Sequence, residues 1–341
     1  MIHWKTPDWS LPWPSVLVGF LFLAVPPLVL FGFGVWGTLL PQGLVLLSPL
    51  LVAGTLGAGA GIRCEWWELR RVIHEGAVVV DRAHWNLLAV VVGTLCTLAG
   101  VAELGLSPIV SASVVGIVTG VVVRSVAVPV YCGAFVGMTS PEVFGSYWLA
   151  TLAAALAGVL FTVAHPVFHG LGGKLGTTAF VGVLLVALPT TSTFQSGTIP
   201  EGSVVLSVVG ITALGASTTF AIHTRSAASP VLASGLVGAV GGIWLPMLFD
   251  AQGGLFAAAI YSASFAGMTN PERIPNEWWI GVTGAGVGLV VVHTLPFVGG
   301  SGGKLGTIAF GSCLGIHGTL RIVGIFRFAR RGYRAPEEET T

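Results

Sequence analysis

Twelve apolar stretches divide the chain, at about 13–34, 43–62, 86–105, 107–122, 125–139, 146–165, 174–190, 204–223, 229–246, 252–269, 277–297 and 304–324. Short polar or glycine- and proline-bearing links separate them, so each reads as a candidate transmembrane helix. Several hold only 15–18 residues, below the roughly 20 that a plain span needs. Tilted, broken or re-entrant segments are expected among them.

Composition agrees with this pattern. Apolar residues make up 54% of the 341, and charged residues only 9%, with a mean hydropathy of +0.89. A soluble domain carries about 25% charged residues, which argues against a soluble enzyme, a nucleic-acid binder and a disordered chain. The 49 glycines suit helices that pack closely or break within a bilayer. The expected fold is an all-α polytopic membrane protein whose first partner is the lipid bilayer, with room for self-association into a homo-oligomer.

An internal repeat organises the second and third quarters of the chain and beyond. Tyr131-Cys-Gly-Ala-Phe-Val-Gly-Met-Thr-Ser-Pro-Glu142 parallels Tyr261-Ser-Ala-Ser-Phe-Ala-Gly-Met-Thr-Asn-Pro-Glu272 at an offset of 130. The same offset carries Gly172-Gly-Lys-Leu-Gly-Thr177 onto Gly302-Gly-Lys-Leu-Gly-Thr307, and Trp148 onto Trp278. Upstream, Ser107-Pro108 matches Ser229-Pro230 at an offset of 122, so the second copy gains about eight residues near Trp244–Gly253. Chance does not produce identity on this scale.

The expected organisation follows. Residues 1–62 form a transmembrane hairpin and 63–85 a basic cytoplasmic link. Residues 86–190 and 204–324 are two copies of five segments, joined by an extracellular linker at 191–203, and 325–341 is a cytoplasmic tail. An odd number of spans per copy inverts the second copy relative to the first. With the N-terminus inside, 14 basic residues, among them Lys5, Arg63, Arg70, Arg71, Arg82, Arg124, Arg225, Arg273 and Arg334, fall on the cytoplasmic side and only Lys304 falls outside. This matches the positive-inside bias and places a multi-pass protein in the plasma membrane with both termini cytoplasmic. Tryptophans near segment ends read as interfacial belts. The N-terminus lacks the basic region and cleavage site of a signal peptide.

Inverted repeats can generate two equivalent states, with a site near the midplane built from interrupted helices. Two repeated polar motifs are candidates. In Gly172, Gly173, Lys174 and Thr177, and in Gly302, Gly303, Lys304 and Thr307, glycines turn the chain, and a lysine then opens a helix whose N-terminus favours an anion. The spacing is not that of a Walker A loop. The plainer role is a tight turn with a snorkelling lysine. In the second motif, Thr139, Ser140 and Glu142, and Thr269, Asn270 and Glu272, flank a proline that ends the helix and frees carbonyls. The plainer role there is a helix stop with a solvated glutamate. Topology puts Glu142 with Lys304 outside and Glu272 with Lys174 inside, which predicts two equivalent ion pairs acting as gates.

Tyr131 and Tyr261 are matched by the repeat and are candidates to line a cavity, or to sit in the core bonded to backbone. His293 and His317 lie in apolar runs and could carry protons, although neither has a counterpart and a structural role competes. Cys64, Cys96, Cys132 and Cys313 show no metal or redox spacing. Histidines and acids at 74–84 lack ligand spacing. No metal, cofactor or nucleic acid is implied.

The leading expectation is therefore a secondary transporter of a small solute or ion, with a small anion slightly favoured, since helix N-termini and lysines oppose an outer face of net negative charge. The architecture resembles that of inverted-repeat transporters. A passive channel on the same repeat is the alternative. A membrane-embedded enzyme is the third, weakened by the lack of a catalytic constellation.

Overall fold

The computed structural model describes residues 9–40, 43–75, 78–80, 83–190 and 192–332. Among these residues run twelve α-helices: α1 Trp13–Thr38, α2 Ser48–Glu75, α3 Ala83–Ala102, α4 Pro108–Val122, α5 Ala127–Gly137, α6 Tyr147–Val163, α7 Lys174–Ala187, α8 Gly202–Arg225, α9 Pro230–Leu248, α10 Gly253–Gly267, α11 Glu277–His293 and α12 Lys304–Gly332. Each apolar stretch of the sequence holds one helix.

Local chemistry sets the boundaries, often identically in the two copies. The Ser107 and Ser229 hydroxyls accept from the Val110 and Leu232 amides, each with proline at the first helical position. Ser146 and Asn276 cap α6 and α11 in the same way. Pro141 and Pro271 lie just beyond α5 and α10, whose last helical residues are Gly137 and Gly267.

Five segments are long and apolar enough to cross a membrane: Trp13–Thr38, Val45–Arg70, Ala83–Ala102, Gly202–Arg225 and Pro230–Leu248. Others are shorter, and the 11 residues of α5 extend only about 16 Å, roughly half a bilayer core. Large apolar side chains stand exposed along many helices, including Leu206, Leu214, Val240 and Met247, as suits a protein surrounded by acyl chains rather than water. Exposed tryptophans gather at helix ends, as at Trp13, Trp36, Trp148 and Trp278.

Three details add to the sequence expectations. The link predicted at 63–85 is helical through Glu75, because nothing between Arg63 and Glu75 breaks a helix and Arg70 stacks on Trp66 and Trp67. The tail predicted from 325 continues α12 to Gly332. The all-helical fold carries one small addition: β1, Trp9–Leu11, pairs antiparallel with β2, Val78–Val80, a β-branched run. Lys5, Arg82, Arg334 and the end of the tail lie outside the described residues.

Packing repeats between the copies. Helix α3 packs on α5 and α6 as α8 packs on α10 and α11, while α4 meets α9 and α7 meets α12, each against its own counterpart. The α1–α2 hairpin has no counterpart and lies against α11 and α12, with α1 also reaching α6 and α7.

Candidate functional site

The two repeated motifs meet, each with the other copy's partner. Proline-terminated α5 and α10 present threonine hydroxyls, and the glycine-turned loops before α12 and α7 bring unpaired amides. The Gly302 amide donates to Thr139 Oγ1 at 3.2 Å and the Gly172 amide to Thr269 Oγ1 at 3.0 Å. The Ser140 amide donates to the Gly300 carbonyl and the Asn270 amide to the Gly170 carbonyl, both at 2.8 Å. Left-handed glycines make these turns, with φ of 81° at Gly173 and 83° at Gly303. Thr177 and Thr307 stay within their helices, donating to the Gly173 and Gly303 carbonyls.

The predicted gate ion pairs are not formed: among the described residues, neither Glu142 with Lys304 nor Glu272 with Lys174 makes a salt bridge. Each lysine instead reaches back to carbonyls after the preceding helix. Lys174 Nζ donates to His165 and Val167 carbonyls at 3.1 and 2.6 Å, and Lys304 Nζ to Thr294 and Phe297 carbonyls at 2.7 and 2.6 Å. The negative ends of α6 and α11 attract the ammonium groups more directly than a distant carboxylate does. Both glutamates point outward and are exposed. Glu142 accepts from Gln195 Nε2 at 3.1 Å, and its own backbone amide is the main cause holding its carboxyl below the usual range.

Two cavities meet at one pair of aromatic rings. One, of about 870 Å³, is lined by Lys304 and the Gly299–Gly303 turn, by Gln195 and Gln252, and by Met138. The other, of about 570 Å³, is lined by Lys174 and the Gly170–Gly173 turn, by Asn86, His165 and His169, and by Met268. Phe135 and Phe265 line both. These counterparts are buried, with ring centroids 4.7 Å apart. No aspartate or glutamate is among the described lining residues of either cavity.

Tyr131 and Tyr261 are wholly buried and line neither cavity. Their hydroxyls meet each other at 3.1 Å, and Tyr131 also meets Ser234 Oγ at 3.1 Å. They are core tyrosines bonded through hydroxyls rather than to the backbone. His293 and His317 also line neither cavity. His293 Nδ1 donates to the Leu289 carbonyl at 2.8 Å, and His317 Nδ1 to the Arg273 carbonyl at 3.0 Å with Nε2 3.6 Å from Glu65. No metal-binding group of His, Cys, Asp or Glu occurs among the described residues.

Sequence reasoning passed over several residues that shape this site. Phe135 and Phe265 sit inside the repeated motif, where their matched positions were the available signal. The linker predicted at 191–203 pairs Gln195 with Gly299 and forms part of the larger cavity's wall. Arg273 pairs with buried Glu65 at 2.6 Å and with Glu68 at 3.1 Å, tying the hairpin to the second copy. Comparison of the chain with protein-family models, with curated proteins and with solved structures finds no match.

Proposed function

We propose that the chain is a membrane transport protein that passes a small polar solute between two chambers through the Phe135–Phe265 septum. The observation that carries this reading is the sharing of those two rings by cavities whose glycine turns, lysines and methionines are counterparts, the linker at Gln195–Pro200 adding to the larger one. Reciprocal bonds between the copies support a two-fold relation, and five helices per copy would invert one copy across the bilayer. The axis then lies in the membrane plane, and the chambers face opposite sides. About twelve membrane segments, some of them short like α5, with both termini cytoplasmic fit this arrangement and the basic-residue bias.

Between the two modes of transport, the geometry favours a passive channel over alternating access. A rocking transporter caught open to one side needs halves that differ. Here the clamps match to 0.2 Å (3.0 and 3.2 Å), and both chambers coexist. The test is flux into proteoliposomes of glycerol, urea and iodide, comparing wild type with Phe135→Ala and Phe265→Ala. Faster flux in either variant, without acceleration by solute on the far side, is expected. Flux at the empty-vesicle level in all three proteins would overturn the transport reading, and acceleration by trans solute would favour alternating access.

A further inference from the structure

The two chambers are not chemically equal. At the position where the smaller is walled by Leu171, the larger has Ser301, and the two are related by the repeat offset of 130. Ser301 is 8% exposed, and its Oγ has no hydrogen-bond partner among the described residues. A buried hydroxyl without a partner carries a desolvation cost that a ligand can relieve.

The lysines differ too. Lys304 is 8% exposed and its ammonium spends two of its three hydrogens on carbonyls. Among the described residues no carboxylate pairs with it, and its counterpart Lys174 is only half-buried. A buried cation without a counter-charge is costly unless an anion joins it. Leu305 and Gly306, in the first turn of α12, also line this chamber, and first-turn amides lack partners within their own helix. Three independent features thus converge on one place: a free hydroxyl, an uncompensated ammonium and a helix N-terminus.

Resting on the transport reading, we propose that the larger chamber holds a site for a small monovalent anion between Ser301 Oγ, Lys304 and the first turn of α12. The anion enters at this side before crossing the septum, and the smaller chamber, with Leu171 in place of the serine, binds it weakly. Selection is by charge and size: the hydroxyl and amides donate, and no lining carboxylate repels.

Iodide is the probe, read as flux into proteoliposomes and as thermal stabilisation of the detergent-solubilised protein, with glycerol flux alongside. The variant Ser301→Leu copies the wall of the other chamber and keeps the lysine's structural bonds. Lys304→Gln removes the charge, and Lys174→Gln is its counterpart. Ser301→Leu and Lys304→Gln are expected to raise the iodide concentration for half-maximal stabilisation roughly tenfold or more, the loss for a hydrogen bond to a charged group. Lys174→Gln is expected to shift it less. Equal iodide stabilisation in wild type and folded Ser301→Leu would overturn the site. Glycerol flux without iodide flux or stabilisation would overturn the anion assignment while leaving the transport reading intact. Absence of flux for both solutes would overturn the transport reading itself.

Discussion

Gly176 and Gly306 lie against each other where α7 crosses α12: a Cβ built on either would come within 2.5–2.6 Å of the other's Cα. The repeat offset relates them, so the proposed axis passes between them. Each follows its lysine by two residues, about 3 Å along a helix, which puts Lys174 and Lys304 close to the proposed midplane.

Backbone faces backbone at this crossing, so neither side can yield by turning a side chain. Gly176→Ala or Gly306→Ala should lower stability by about 1–3 kcal/mol, as overpacking does. Gly210→Ala, where an added Cβ meets nothing within 4 Å, should hold or raise it. Thermal unfolding in detergent checks both.

Met138 lines the larger chamber and Met268 the smaller. In a background freed of Cys64, Cys96, Cys132 and Cys313, Met138→Cys and Met268→Cys should react with a membrane-impermeant maleimide from opposite sides of oriented vesicles. Labelling of both from one side would rule out the inverted arrangement.

Tyr131→Phe removes contacts to Tyr261 and Ser234 together. The buried hydroxyls left behind lose a partner, at about 1–3 kcal/mol, while flux should persist because neither tyrosine lines a chamber. Combined with Tyr261→Phe, the loss should fall short of the sum of the single effects, since the two share a bond. Unfolding midpoints and solute flux, measured on the same preparations, separate stability from transport.

Arg273→Ala leaves Glu65 charged and buried without its cation. A loss of about 3–5 kcal/mol is expected, partly recovered in the double variant Glu65→Gln/Arg273→Gln. Full additivity of the two single changes in unfolding experiments would count against a direct pair.

Much of this arrangement could be read from the sequence where the repeat spoke. The meeting of one copy's proline break with the other copy's glycine turn was legible, because an odd number of segments per copy puts those two motifs on the same side. The atoms that join them were not. Charge complementarity suggested glutamate to lysine, whereas the carbonyls that capture Lys174 and Lys304 exist on every residue and leave no mark in a sequence. Phe135 and Phe265 were hard to single out for a related reason: an apolar ring in an apolar helix offers no contrast until its neighbours are known. The helical reach of α2 and α12 beyond their apolar stretches left no mark, because a change from apolar to charged residues marks the end of a bilayer, not the end of a helix.

The bond between Glu65 and Arg273 joins residues 208 positions apart. At synthesis rates of about 5–20 residues per second, the carboxylate leaves the ribosome roughly 10–40 s before its guanidinium exists. During that interval α2 cannot settle in its final place without stranding a charge in an apolar setting. The hairpin made first is therefore among the last parts to lock, and arrival of the second copy is the event that releases it from waiting.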